Sequence, residues 1–130
     1  MRAHGFLSKA TESGRAYLTG LFRRAHFLIL PTRVECFGIV LSEASAFGVP
    51  SLATDLAGTS SAVTDGRNGK LFRVEQGAED FARYVQGLLA SEERYRALAL
   101  SSYEEHASRL NWSTAGRRVR ELLHEACAAA

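Results

Sequence analysis

The feature that most constrains this chain is a pair of short apolar runs, each bounded by proline. The first is His26-Phe-Leu-Ile-Leu-Pro31 and the second is Pro50-Ser-Leu-Ala-Thr54. A continuous apolar run of that length reads as a strand buried on both faces, as in a parallel sheet covered by helices. Between them stands Gly38-Ile-Val-Leu-Ser-Glu-Ala-Ser-Ala-Phe-Gly48, rich in helix formers and closed by Gly48-Val-Pro50. Two buried strands joined by a helix make a βαβ unit, which predicts an α/β fold with a parallel sheet.

The rest of the chain fits around that unit. Residues 9–24 carry Ala10, Tyr17, Leu18, Leu21 and Phe22 at helical spacing. After Thr54 the signals are loop-like, with Asp65-Gly66 and Asn68-Gly69 as turn formers, and Lys70-Leu-Phe72 reads as a very short third strand. From Ala78 onward the pattern is helical: Phe81, Tyr84, Val85, Leu88 and Leu89, then Tyr95, Leu98 and Leu100. Asn111 is placed to cap a last helix around residues 117–128. The expectation is one domain over residues 1–130, with a short parallel sheet in the region 26–72 and a helical region over 77–130.

Composition excludes several classes. Sixteen basic against 14 acidic residues leave a formal charge of +2, with no basic stripe of the kind nucleic acid requires. Arg23-Arg24 and Arg117-Arg118 read as solvated helix faces. No apolar run approaches the roughly 20 residues of a membrane span, and the N-terminus does not read as a secretory signal. Cys36 and Cys127 have neither metal-ligand spacing nor the count of a disulfide scaffold. They point to a reducing cytoplasm, to which a position peripheral to the inner face of the membrane is also open.

The stretch that carries chemistry runs from Glu35 to Glu43, two glutamates with Gly38 between them. A helix starting near Gly38 offers the free amides of Gly38, Ile39 and Val40 and the positive end of its dipole to a phosphate group. Glu35 lies just outside that end, and Glu43 lies about 7 Å along the axis at roughly 1.5 Å per residue. Two carboxylates beside an anion site repel the anion unless they bind something else, and sugar diols answer that need through charge-assisted hydrogen bonds. A nucleoside diphosphate sugar has a diol on the ribose, another on the transferred sugar, and the diphosphate between them. The plainer alternatives are a solvent-facing helix glutamate at Glu43, an exposed loop acid at Glu35 and a mere turn glycine at Gly38. A reactive-thiol role for Cys36, beside the helix start, is the weaker alternative.

In order along the chain stand Leu30-Pro-Thr32, Glu35-Cys-Phe-Gly38, Glu43-Ala44, Gly48-Val-Pro50, Ala53-Thr-Asp55, Gly58, Asp65-Gly66 and Asn68-Gly69. This series resembles the family 4 glycosyltransferases of the GT-B fold, with the E-x7-E element at residues 35–43. The resemblance is dense over residues 27–72 and looser as far as Trp112. Two glutamates at this spacing occur often by chance; in this ordered company they are specific.

The resemblance implies a partial Rossmann-like domain, the C-terminal, donor-binding part of a glycosyltransferase. Such an enzyme moves a sugar from a nucleotide-sugar donor, such as a UDP- or GDP-sugar, to an acceptor glycan, lipid or small molecule with retention of configuration. By the same resemblance Glu43 holds the ribose hydroxyls and Glu35 orients the donor sugar. Backbone amides around Phe37, Gly38, Ile39 and Val40 meet the sugar and the diphosphate. No metal and no further cofactor is expected in this half. Where many members carry a Gly-Gly pair and a glutamate after the second strand, this chain has Ala57, Gly58 and Ser61. The family's first donor-domain strands, with their diphosphate-neutralising bases, and its acceptor domain are expected to precede the region seen here. Lys9, Arg15, Arg23 and Arg24 do not occupy the matching motif positions. The acceptor domain is then expected on another chain or in a longer reading frame, with a homo-oligomer or a catalytically inactive remnant as alternatives. Nucleotide-sugar epimerases share the fold but differ in the local motif.

Overall fold

The computed structural model describes residues 3–129; residues 1, 2 and 130 of the expected single domain lie outside the described residues. The elements run α1 (Glu12–Arg24), β1 (Leu28–Leu30), α2 (Ile39–Ser45), β2 (Ser51–Thr54), α3 (Thr59–Ala62), β3 (Gly69–Phe72), α4 (Ala78–Leu89), α5 (Glu92–Ser108) and α6 (Trp112–Ala128). The sheet has three parallel strands in the order β1-β2-β3. Leu28 faces Ser51 and Ser51 faces Gly69, so the strands start level with one another. This is the α/β fold with a short parallel sheet that the two apolar runs predict.

Side-chain alternation sends the strands' residues to two separate layers. On one face Ala53 packs with Leu41 of α2, Ala62 of α3 and Val63, and Leu28, Leu30, Val40 and Leu71 close around them. On the other, Leu52 and Phe72 pack with Phe81 of α4, flanked by Phe27, Tyr84 and Val85. The Phe72 and Phe81 rings stack with centroids 3.9 Å apart. Only the central strand is buried at every position. The expectation that residues 26–31 are buried on both faces is not met: Ile29 is 52% exposed. The physical reason is position. β1 is an edge strand here, and α4 packs over β2 and β3 on that face.

Local chemistry accounts for most of the boundaries. Thr11, Ser91 and Asn111 cap α1, α5 and α6, each accepting from an amide three residues on. α2 ends at Ser45, followed by a turn whose glycine, Gly48, adopts φ +66°. There the Gly48 amide donates to the Ser45 carbonyl and the Val49 amide to that of Ala44. The stretch after Thr54 is not all loop, since α3 forms a single turn there. The expected turn forms over residues 66–68, but Gly66 and not Asn68 carries its positive φ, Gly69 already opens β3, and Asn68 is fully buried. Its amide donates to the Ala62 carbonyl at 2.9 Å and to Ser45 Oγ at 3.3 Å, while its Oδ1 accepts from the Thr64 amide at 2.7 Å. Ser102 of α5 extends the network through Ser45 Oγ and the Val49 carbonyl. α6 buries none of its residues among those described, and Val119, Leu122 and Leu123 stand exposed along it.

Candidate functional site

The carboxyl ends of parallel strands are where an α/β sheet leaves room for a ligand, because the loops there part around the sheet edge. Three such loops converge in this chain. The loop after β1 carries Glu35, Cys36, Phe37 and Gly38; the loop after β2 carries Asp55 to Gly58; β3 leads to Val74 and the start of α4.

Gly38 is the hinge of the first loop. It adopts φ +73°, and a Cβ there would lie 2.7 Å from Leu41 Cδ1 and 3.5 Å from Glu35 Cγ. Conformation and space both call for glycine. From this residue the chain turns into α2, whose first amides, those of Gly38, Ile39 and Val40, meet no intramolecular acceptor among the described residues. α2 has only seven residues, so its dipole is short; the amides themselves are the useful groups. Glu35 turns back on its own loop, its Oε1 accepting from the Cys36 amide at 3.0 Å.

Glu43 lies in the wall of an open cavity of about 770 Å3, with Phe37, Ile39, Ser42, Arg109 and Trp112 among its other lining residues. Ser42 Oγ is buried and has no hydrogen-bond partner among the described residues. Of the residues singled out by sequence, Phe37, Ile39 and Glu43 therefore share one cavity. Gly38 shapes the turn beside it. Val40 contributes only its amide, because its side chain packs on the core. A second groove of about 490 Å3, with Ile29, Arg33, Thr54, Phe81 and Val85 among its lining, lies over the exposed side of β1 and holds none of these residues.

Two charge arrangements escaped sequence reasoning. Lys9 Nζ is ion-paired with Glu43 Oε1 across 34 positions of sequence, a separation at which spacing carries no signal. Glu105 of α5 is buried and bonds Arg67 Nε at 3.2 Å and Arg109 Nε at 2.6 Å. Arg109 also donates to the Ser61 carbonyl at 2.7 Å, tying the end of α5 to α3 beside the cavity. An acid preceding the capped last helix gives a sequence only a helix-face signal, so its burial was not legible. Among the described residues no cluster of three or more His, Cys, Asp or Glu side chains could hold a metal ion. No helix described is long and apolar enough to cross a membrane.

A parallel sheet between helical layers, with its loops converging at the carboxyl ends of the strands beside a glycine-started helix, is a Rossmann-like α/β domain. Residues 10–105 match the family described as Glycosyl transferases group 1, and the chain belongs to that family. It is 37% identical over 117 residues to a D-inositol 3-phosphate glycosyltransferase of Nocardiopsis dassonvillei, covering 88% of this chain and 26% of the relative. A protein of the same description from Nocardia farcinica is 38% identical over 96 residues, or 74% of this chain and 21% of the relative. The chain thus spans about a quarter of the length of these curated relatives. Among solved structures it is similar to sucrose-phosphate synthase from Thermosynechococcus elongatus, with a TM-score of 0.72 at 27% identity over 88% of this chain and 28% of that one. An Anabaena protein, HepE, crystallised in complex with UDP, shares the fold with a TM-score of 0.74 at 21% identity, over 85% of this chain and 30% of that one.

Proposed function

We propose that this chain supplies the donor-binding surface of a glycosyltransferase that moves a sugar from a nucleotide-sugar donor to an acceptor hydroxyl with retention of configuration. The observation that carries the reading is that Glu43, Phe37 and Ile39 line one open cavity beside Gly38 and the unpaired amides of the α2 start, with Glu35 in the same loop but not in the cavity lining, in a chain of this family. In this reading Glu43 accepts two hydrogen bonds from the ribose diol, with Lys9 as its counter-charge when no diol is bound. Glu35 receives hydroxyls of the donor sugar and orients it. The amides from Phe37 to Val40 meet the diphosphate, where negative charge grows as the sugar leaves; fixed donors aimed at developing charge lower that barrier without reorganising. Phe37 and Ile39, both exposed at the cavity, give the nucleoside apolar surface. The names of the curated relatives favour inositol 3-phosphate as acceptor. Its binding then falls to protein beyond the quarter of those relatives that this chain spans.

Titration of UDP-glucose and GDP-mannose into the 15N-labelled chain tests the reading. The expected result is amide shifts over residues 37–43 with one donor, and a weakening of about 1–3 kcal/mol in Glu43→Gln, the worth of a hydrogen bond to a charged group. Unchanged affinity in Glu43→Gln removes the ribose assignment. Shifts with neither donor remove the donor-binding role.

A further inference from the structure

Resting on the donor-binding reading above, we propose that Gly58 is a positioning residue for the acidic loop: its missing side chain lets the start of α3 seat the Glu35-Cys36 peptide, and this sets where the Glu35 carboxylate stands. The geometry is one of backbone against backbone. A Cβ on Gly58 would lie 2.2 Å from the Cys36 carbonyl oxygen, 2.4 Å from its carbon and 2.5 Å from the Glu35 carbonyl oxygen. No rotamer change relieves such contacts, because the atoms in the way are main chain. Gly58 is not there for its torsion angles, which at φ −74° and ψ −46° suit any residue. Close approach is the whole reason for glycine at this position.

What Gly58 presses against the loop is itself held firmly. Thr59 is fully buried, and its hydroxyl donates to the Thr54 carbonyl at 2.6 Å while accepting from the Leu56 amide at 2.9 Å. The first residue of α3 is thereby locked to the last residue of the central strand. Ala62 and Val63, just beyond, sit in the core beside Leu41 of α2. The loop after β1 therefore rests on the start of α3 at one point, Gly58, and on α2 at another, where the Gly38 backbone faces Leu41 and Glu35 Cγ. Glu35 lies between the two supports. A methyl group at position 58 must push the Glu35-Cys36 peptide outward, since the α3 side is the more tightly bonded of the two.

The exposed thiol of Cys36 reports on this loop. In a Cys127→Ser background it is the only thiol, and its rate of reaction with a disulfide reagent follows the loop's exposure and setting. Gly58→Ala is expected to change that rate several-fold and to shift the amides of residues 35–38 while those of β3 stay in place. It should weaken UDP-glucose binding about tenfold or more, with the melting curve still a single transition. Thr59→Val loosens the same support without adding bulk at residue 58, and should move the same amides to a smaller extent. Unchanged thiol rate and unchanged amides at residues 35–38 in Gly58→Ala overturn the proposal. If that variant does not fold, the same null result in Thr59→Val overturns it. Loop movement with undiminished UDP-glucose affinity overturns the positioning role in binding. Absence of binding of both UDP-glucose and GDP-mannose by the unmutated chain instead sinks the donor reading, and the thiol rate then decides the loop support alone; if only GDP-mannose binds, it replaces UDP-glucose in the affinity comparison.

Discussion

Replacing Asn68 by alanine removes the centre of the buried polar network that joins α2, α3 and α5 to the start of β3. Three hydrogen bonds go with it: from the Thr64 amide, to the Ala62 carbonyl and to Ser45 Oγ. They do not weigh equally. Ala62 is fully buried, so its carbonyl is left without a partner in a dry core, at about 1–3 kcal/mol. Thr64 is exposed, so water can serve its amide and the loss there is near the net value of about 1 kcal/mol. Ser45 Oγ keeps its contact with Ser102, which makes the third loss the smallest. With the small void left by truncation, the expected destabilisation is about 3–5 kcal/mol. In urea denaturation of the chain, a midpoint about 2 M lower with an unchanged slope is the expected result. Asn68→Gly separates this account from one in which the turn needs a positive φ at residue 68. A residue needed for positive φ tolerates glycine, but Asn68 has no positive φ, so glycine should cost at least as much as alanine. A loss below about 1 kcal/mol in Asn68→Ala, or a neutral Asn68→Gly, refutes the reasoning.

Glu105→Ala should destabilise the chain by about 1–2 kcal/mol, a buried-pair cost discounted because Arg67 and Arg109 are both well exposed. Melting curves of the variant and the parent at low and high salt check this; a difference that vanishes in 1 M salt argues against a buried acid. Burial first, and then the negative charge of Asp65, raise the Tyr84 hydroxyl above its ordinary value of 10.0, with Lys70 and Arg94 opposing. The folded chain thus holds this proton where the unfolded chain has lost it, so the stability contribution is full below pH 10 and falls as pH rises beyond it. Urea unfolding at pH 9 and at pH 11 should show a smaller alkaline loss in Tyr84→Phe than in the parent chain; equal losses contradict the assignment.

The amino-acid sequence by itself determined the βαβ unit and the order of elements around it. Apolar runs of strand length, prolines and glycines at their ends, and Asn111 as a cap are local signals, and local torsion and hydrogen-bond chemistry set their outcome. The ordered motif around Glu35, Gly38 and Glu43 was equally legible, because Gly38 answers a backbone need that lies within three residues of it, at Leu41 and Glu35. What depended on the neighbours across space was not. Ile29 looks like any buried strand residue in sequence; its exposure is decided by β1 lying at the sheet edge, away from the part that α4 covers. Asn68 before a glycine reads as a turn, and it stands in one, but only the packing of Ser45, Ala62 and Ser102 around it makes it a core residue as well. Lys9 against Glu43, Arg67 against Glu105, and Gly58 beneath the Glu35-Cys36 peptide all join segments more than 20 residues apart. Such contacts follow from how the layers stack, and tertiary structure alone decides that.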